Sequence, residues 1–259
     1  MKFRFGSLLK LIIAIVLLIS LACSSNKFAS NMPMEDRFKA AIELLEKGDF
    51  LRAKNQFTIL VLNYPGTHIA DKAQFYLAES YFGLKEFILA AAEYQKLVRN
   101  YPQSEFVDDS QYKVGLSYYE LSPGYALDQN YTQIAVVEFQ RFLEEFPTSD
   151  LRPKVEEMMS TARYKLAKKE FKSASLYNRS GNYHAAFIYY DEFLKTYYDT
   201  DFAEEALFRK GECQLQIEKW EDAITTFEEF AKKYPESRFI QLTYENLDIL
   251  RNKIATNGK

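Results

Sequence analysis

The chain has 259 residues, of which 47 % are hydrophobic and 27 % are charged, and its formal net charge is −3. This length and apolar content can bury a substantial core, while the negative charge argues against nucleic acid as a partner, because phosphates repel it. Two cysteines and two histidines leave few side chains for a disulfide framework or a metal site.

The N-terminus has the pattern of a secretion signal. Lys2, Arg4 and Lys10 precede an uncharged apolar run, residues 11–22, which is short for a membrane span but matches a signal-peptide core. The run leads into the letters ISLAC, residues 19–23, which resemble the lipobox of bacterial lipoproteins, whose cysteine becomes the acylated first residue. An ordinary signal peptide or a short uncleaved anchor is the alternative.

This resemblance makes Cys23 the predicted lipidation site, with acyl chains such as palmitate. Several chains hold a protein on a membrane stably, because each buried methylene contributes roughly 0.8 kcal/mol. Ser24 follows the cysteine, where many lipoproteins retained in the inner membrane have Asp, so the resemblance implies the periplasmic face of the outer membrane. We therefore predict a signal peptide over 1–22 and a tether over 23–34. Removal of three positive charges with the signal takes the net charge to −6.

After the tether, one spacing recurs five times. Counting back from a helix-ending residue, the position one before is aromatic, the position eight before is aromatic, and the position twelve before is Ala. The helix-ending residues are Pro65, Pro102, Pro147, Tyr198 and Pro235, the alanines are Ala53, Ala90, Ala135, Ala186 and Ala223, and the aromatics eight before are Phe57, Tyr94, Phe139, Tyr190 and Phe227. The period is 37 residues from Pro65 to Pro102 and again from Tyr198 to Pro235. Such a period is typical of a helical solenoid, because each unit is one pair of packed helices.

A second set of aromatics lies upstream in each unit, and each is followed three residues later by Ala or Gly. Its members are Phe38, Phe75, Tyr112, Phe171 and Phe208. Turn-forming segments such as residues 47–50 separate the two sets. The pattern resembles the tetratricopeptide repeat. We predict an all-α superhelix of five helix-turn-helix units, with units 1–3 in 35–152 and units 4–5 in 153–259.

Three departures from the period predict further features. Residues 122–129 are an insertion rich in turn-forming residues and should form a surface loop. No Pro or Gly interrupts Val155 to Leu176, so the fourth unit should begin with a long helix that links the two halves. Phe239 to Ile254 is amphipathic and should cap the last repeat.

Residues suited to catalysis or cofactor binding are sparse. His68 and His184 have no Cys or His at metal-ligand spacing, and the sequence contains neither a glycine-rich phosphate loop nor a nucleophile elbow. Cys213 is predicted to be a small buried thiol. We therefore expect no cofactor, no metal and no enzymatic activity.

A solenoid of this kind binds extended or helical segments along its concave side, which the first helix of each unit lines. The candidates for that groove are Phe38, Phe75, Glu79, Phe82, Tyr112 and Tyr119. Phe38, Phe75 and Tyr112 occupy a fixed repeat position, so a place in the core is an equal alternative for them. Phe82 and Tyr119 occur at the twelfth position of only two repeats, which favours the groove. Exposed aromatics suit a receptor for aromatic-rich peptides.

Two segments resemble the BamD family, lipoproteins of the outer-membrane β-barrel assembly machinery. Residues 127–149 are similar to its Asp-Gln loop and third repeat, and residues 166–183 are similar to its long-helix motif. The resemblance implies that the C-terminal repeats dock on a BamA-type β-barrel insertase, beside accessory assembly lipoproteins, and that the N-terminal repeats receive unfolded outer-membrane proteins. It points to Asp128, Gln129 and Tyr189 as docking residues. The family usually has an Arg on this second helix of the fourth repeat, so its salt bridge to a partner would be absent or replaced by Tyr189.

Three other functions are alternatives to barrel assembly. A pilot lipoprotein for secretin assembly usually lacks the Asp-Gln insertion and the long connecting helix. A periplasmic repeat protein that coordinates cell-wall synthesis typically carries a coiled coil before its repeats, for which residues 24–34 are too short. An envelope-bound enzyme would need a catalytic constellation.

Overall fold

The computed structural model describes residues 31–257, and over that range the chain forms eleven helices and no strand. The helices are α1 Met34–Glu46, α2 Phe50–Asn63, α3 Ala70–Gly83, α4 Phe87–Asn100, α5 Val107–Glu120, α6 Asn130–Glu145, α7 Arg152–Arg179, α8 Tyr183–Tyr197, α9 Ala203–Gln216, α10 Trp220–Lys233 and α11 Ile240–Asn257. Each helix packs mainly against its neighbours in the chain, so α1 to α10 form five helix pairs and α11 follows them. The predicted tetratricopeptide superhelix is confirmed.

The turns inside four of the five units share one backbone conformation. Gly48 and Gly181 have φ angles of 74° and 77°, in the left-handed region, and Lys85 and Glu218 adopt φ 61° at the corresponding positions. Glycine is favoured there because it has no Cβ to clash with the carbonyl oxygen. These four turns therefore keep one geometry even where the sequence does not supply glycine.

The repeated alanines let two helices approach closely. All five are 0 % exposed, and the aromatics eight residues before the helix-ending positions are at most 1 % exposed. The same close packing occurs at Gly115, where a Cβ would lie 2.6 Å from the ring of Phe139. Small and large residues therefore interlock at a fixed place in each unit.

A hydroxyl–carboxylate hydrogen bond joins successive units, and the sequence analysis did not predict it. The bonds run from Ser104 Oγ to Asp71 at 2.7 Å, from Ser149 Oγ to Asp108 at 2.7 Å and from Ser237 Oγ to Glu204 at 2.6 Å. Each serine stands two residues after a helix-ending proline. This regular spacing was visible in the sequence and could have indicated the bonds. Hydrogen bonds to a charged group contribute about 1.5–3 kcal/mol, so these bonds help to hold one repeat on the next.

The long helix α7 contributes to two cores. Val155, near its start, is buried with Phe139 and Phe142 of the third unit, whereas Phe171 and Ala174 are buried in the core of the fourth. The prediction of a long linking helix is confirmed, and the helix extends a few residues beyond each predicted end. The division of the chain into two halves between residues 152 and 153 stays a prediction, because α7 packs against the third unit as well as the fourth.

The predicted capping helix is present as α11. Phe239, Leu247 and Leu250 are buried against Phe208 and Phe227 of the fifth unit. They cover apolar side chains that would otherwise face water at the end of the solenoid.

Candidate functional site

Phe82 and Tyr119 lie partly exposed near the ends of α3 and α5, on the first helices of adjacent repeats. Lys113 Nζ is 4.8 Å from the centroid of the Phe82 ring, and Lys165 Nζ is 4.8 Å from the centroid of the Tyr119 ring. Such cation–π contacts contribute about 0.5–2 kcal/mol each. The two rings are therefore held in place but not fully covered.

Glu79 lies one turn before Phe82 on α3. Its carboxylate accepts hydrogen bonds from the Tyr94 hydroxyl and, at 2.7 Å, from Lys113 Nζ. Burial, with the Glu79 charge as a second cause, raises the pKa of Tyr94, so this phenol stays protonated and donates. Glu79 thus orients Lys113 over Phe82 and offers a peptide little free charge.

The other three aromatics predicted for the groove turn toward the core. Phe75 is 9 % exposed and Tyr112 is 3 % exposed. Phe38 is partly buried, with its ring centroid 5.9 Å from that of Phe57 and 6.0 Å from that of Tyr76. Of the two alternatives for the fixed repeat position, the core is the one observed for Phe75 and Tyr112, because the ring at this position fills the space between paired helices. They offer a peptide almost no surface.

We define the aromatic groove as Glu79, Phe82 and Tyr119 with Lys113 and Lys165. The two lysines were missed by the sequence analysis. Lys113 directly follows a repeated aromatic, Tyr112, so Lys113 lies on the adjacent surface of the helix. The sequence could therefore have indicated that Lys113 lies near the groove. Lys165 lies in the long helix outside the repeat register, so only the packing of α7 beside α5 brings it to Tyr119.

The predicted surface loop, residues 122–129, is anchored to the long helix. Lys165 Nζ donates to Ser122 Oγ at 2.7 Å, Lys169 Nζ donates to the Leu127 carbonyl at 2.9 Å, and Lys168 Nζ lies 4.7 Å from the centroid of the Tyr125 ring. The loop is therefore ordered against α7, although Tyr125 and Leu127 stay exposed.

The Asp-Gln pair of this loop has two different environments. Gln129 is 3 % exposed, and its Nε2 donates to the carbonyls of Gly124 and Leu127 at 2.9 and 3.2 Å. Asp128 is exposed and accepts from the Asn130 backbone N–H at 3.0 Å. Gln129 therefore shapes the loop from inside, and Asp128 is the member of the pair whose carboxylate a partner can reach.

Tyr189 lies on α8 in an exposed apolar area. Its ring stacks on Tyr177 with centroids 4.8 Å apart, and the hydrogen bond with Tyr177 raises the pKa of Tyr189. Leu176 and Ile188, the sequence neighbours of Tyr177 and Tyr189, are 60 % and 47 % exposed. We call Leu176, Ile188 and Tyr189 the docking patch, because exposed apolar side chains on two paired helices are candidates for an interaction surface.

The comparisons with known proteins identify the family. A family model described as an outer membrane lipoprotein, YfiO, matches residues 30–219, and a tetratricopeptide-repeat model matches residues 205–237. The chain belongs to the YfiO family. This is the BamD family, so the resemblance on residues 127–149 and 166–183 is confirmed, as is the assignment to outer membrane lipoproteins built of tetratricopeptide repeats.

Solved structures similar to this YfiO-family chain are also repeat proteins. The TPR2AB domain of yeast Sti1 in a complex with pHSP90 shares 14 % identity and a TM-score of 0.44, covering 86 % of this chain and 91 % of that one. A tetratricopeptide-repeat protein from Parabacteroides merdae shares 14 % identity and a TM-score of 0.37, covering 87 % and 75 %. A repeat protein from Thermus thermophilus shares 14 % identity and a TM-score of 0.36, covering 84 % and 100 %. No curated protein matches the sequence significantly.

The YfiO family and the repeat families that match are scaffold families and not enzyme families. Over residues 31–257, no three His, Cys, Asp or Glu side chains form a group that could hold a metal ion. Within the same range, no helix is long and apolar enough to cross a membrane.

Cys213 is buried, and burial raises its thiol pKa to about 12, so the thiol is protonated at neutral pH. Cys23 lies outside the described residues.

Proposed function

We propose that this YfiO-family lipoprotein is a scaffold of the β-barrel assembly machinery. Acyl chains on Cys23 would hold it on the periplasmic face of the outer membrane. Its C-terminal repeats would dock on a BamA-type insertase, beside accessory assembly lipoproteins, and its N-terminal repeats would receive unfolded outer-membrane proteins for folding and insertion.

The aromatic groove is the observation that carries the receiving role. Phe82 and Tyr119 are large rings on neighbouring first helices, and each has one face against a lysine ammonium. An aromatic side chain of an extended peptide gains contact area on the remaining ring surface at small entropic cost, because Phe and Tyr have only two side-chain torsions. Unfolded barrel proteins whose C-terminal signal ends in an aromatic residue supply such a side chain.

The docking patch supports the second part of the proposal. Leu176, Ile188 and Tyr189 are exposed apolar side chains on the paired helices of the fourth unit, in the half of the solenoid that we propose docks on the insertase. Apolar and aromatic side chains at the centre of an interface give most of its affinity. Asp128, exposed on the insertion loop, adds a charged contact for the same or an accessory partner.

Purification of the lipidated protein from gently solubilised membranes tests the proposed complex. We expect a large barrel protein with periplasmic repeats to be recovered in nearly equal amount. The Tyr189→Ala variant should recover several-fold less of it, because the centre of the docking patch is lost. Leu62→Ala is the matched control, since Leu62 is 71 % exposed on α2, far from the patch in sequence. Recovery of a secretin, or of cell-wall enzymes without the barrel protein, would overturn the assignment.

The groove is tested with a labelled peptide that ends in Phe, copied from the C-terminus of an outer-membrane barrel protein. Phe82→Ala and Tyr119→Ala should each weaken binding about tenfold, as expected for an aromatic hot spot, in fluorescence anisotropy with the full lipoprotein in detergent. Tyr244→Ala removes a tyrosine that is 53 % exposed on α11 and should leave the affinity unchanged. Equal binding of a peptide whose terminal Phe is replaced by Ala would show that the groove does not read aromatic residues.

A further inference from the structure

Helix α7 concentrates positive charge in an acidic protein. It contains eight Lys and Arg against three Asp and Glu, whereas the whole chain has a net charge of −3. Some of these cations have clear partners: Arg152 pairs with Glu156 at 2.9 Å, and Arg163 pairs with Asp199 at 2.9 Å. Others anchor the insertion loop through hydrogen bonds. The remaining cations need a different explanation.

Lys168, Lys172 and Arg179 form what we call the basic strip. They stand at i, i+4 and i+11, which places them on one face of the helix. Among residues 31–257 none of the three forms an ion pair, and Lys168 has only the Tyr125 ring beside its ammonium. Like charges at i and i+4 destabilise a helix, because the two ammonium groups repel each other. A bound anion would remove that repulsion.

The strip borders a depression between α7 and α9 with a volume of about 350 Å³. Lys172 and Arg179 line its α7 side, and Ser175 and Asn178 lie between them. On the α9 side, Arg209 is held by Glu205 at 3.3 Å and by Glu212 at 2.8 Å. Glu205 also pairs with Arg238 at 3.0 Å, so the two carboxylates and two guanidinium groups on this side balance. The charges of the depression without an ion-pair partner are therefore the two cations of α7.

We propose that the basic strip binds an extended, acidic segment of a partner protein. Lys168 and Arg179 are about 16 Å apart along the helix axis at 1.5 Å per residue. In an extended chain, side chains on the same face recur about every 7 Å, so three acidic residues at alternate positions cover nearly the same length. Because Lys172 and Arg179 border a depression, the strip suits a single chain better than it suits a flat surface such as a membrane.

This inference goes beyond the proposed function. The strip lies on α7, the first helix of the fourth unit, whereas Phe82 and Tyr119 lie on the second and third units. Loss of peptide binding at the aromatic groove would therefore leave acidic-segment binding at the strip intact, and the two results can be separated with the same preparations of protein.

The test uses the full lipoprotein in detergent and a labelled heptapeptide in which three Glu alternate with Ser. We expect fluorescence anisotropy to detect binding at 50 mM salt and a marked loss at 500 mM, because exposed charges are screened. Lys172→Gln combined with Arg179→Gln should weaken binding at least tenfold. The control double variant, Lys47→Gln with Lys232→Gln, removes the same charge from exposed positions on other elements and should change the affinity less than twofold.

Several results would overturn the proposal. Equal binding of a peptide with Gln in place of Glu would show that the strip does not read acidic residues. Unchanged binding by the Lys172 and Arg179 double variant, with its circular dichroism and melting temperature also unchanged, would place the peptide elsewhere. Displacement of the peptide by 10 mM inorganic phosphate at constant ionic strength would assign the strip to small anions.

Discussion

Replacing Cys23 with Ser is expected to remove the protein from the outer-membrane fraction. Serine has no thiol to carry a thioether-linked lipid, so the acyl chains and their contribution of roughly 0.8 kcal/mol per buried methylene are lost. Sucrose-gradient separation of membranes, combined with metabolic labelling by a palmitate analogue, measures both effects. The wild-type protein should be labelled and recovered with the outer membrane, and the variant should be neither.

Ser25→Ala is the matched control, because it changes a neighbouring position and leaves the cysteine in place. It should be labelled and located like the wild type. A Cys23→Ser protein that still fractionates with the outer membrane would contradict the lipid anchor. A wild-type protein that keeps residues 1–22 and takes up no label would instead indicate the short uncleaved anchor.

Phe139→Ala is expected to lower the stability of the protein more than any other single substitution proposed for it. Phe139 is 0 % exposed, its ring stacks on Tyr112 with centroids 6.3 Å apart, and it fills the space beside Gly115. Truncation of a buried Phe costs about 3–5 kcal/mol, because the surroundings only partly close the cavity. At about 2–4 °C per kcal/mol for a chain of this size, the melting temperature should fall by roughly 10 °C.

Val137→Ala on the same helix is the control, since Val137 is 55 % exposed and its truncation opens no cavity. Its melting temperature, followed by circular dichroism at 222 nm, should stay within about 2 °C of the wild type, as for most surface substitutions. If Phe139→Ala and Val137→Ala have the same melting temperature, the repeated aromatic does not hold the third unit together.

The repeat architecture was predictable from the sequence because its signals are local and periodic. Ala135 and Phe139 are one turn apart on one helix, and the same spacing in five units leaves little choice of fold. The long helix and the cap were also predictable, since an uninterrupted amphipathic stretch has few alternatives to a helix. The family was recognised from residues 127–149 and 166–183 by the same kind of fixed spacing.

Which face of each helix meets solvent was decided only by the tertiary structure. Phe75 and Phe82 are seven residues apart on α3, yet Phe75 is buried and Phe82 is partly exposed, because exposure depends on the curvature of the superhelix and on the next repeat. The contact of Lys165 with Tyr119 joins residues 46 positions apart in the sequence. No local spacing encodes such a contact, since it arises where the long helix packs back against the third unit.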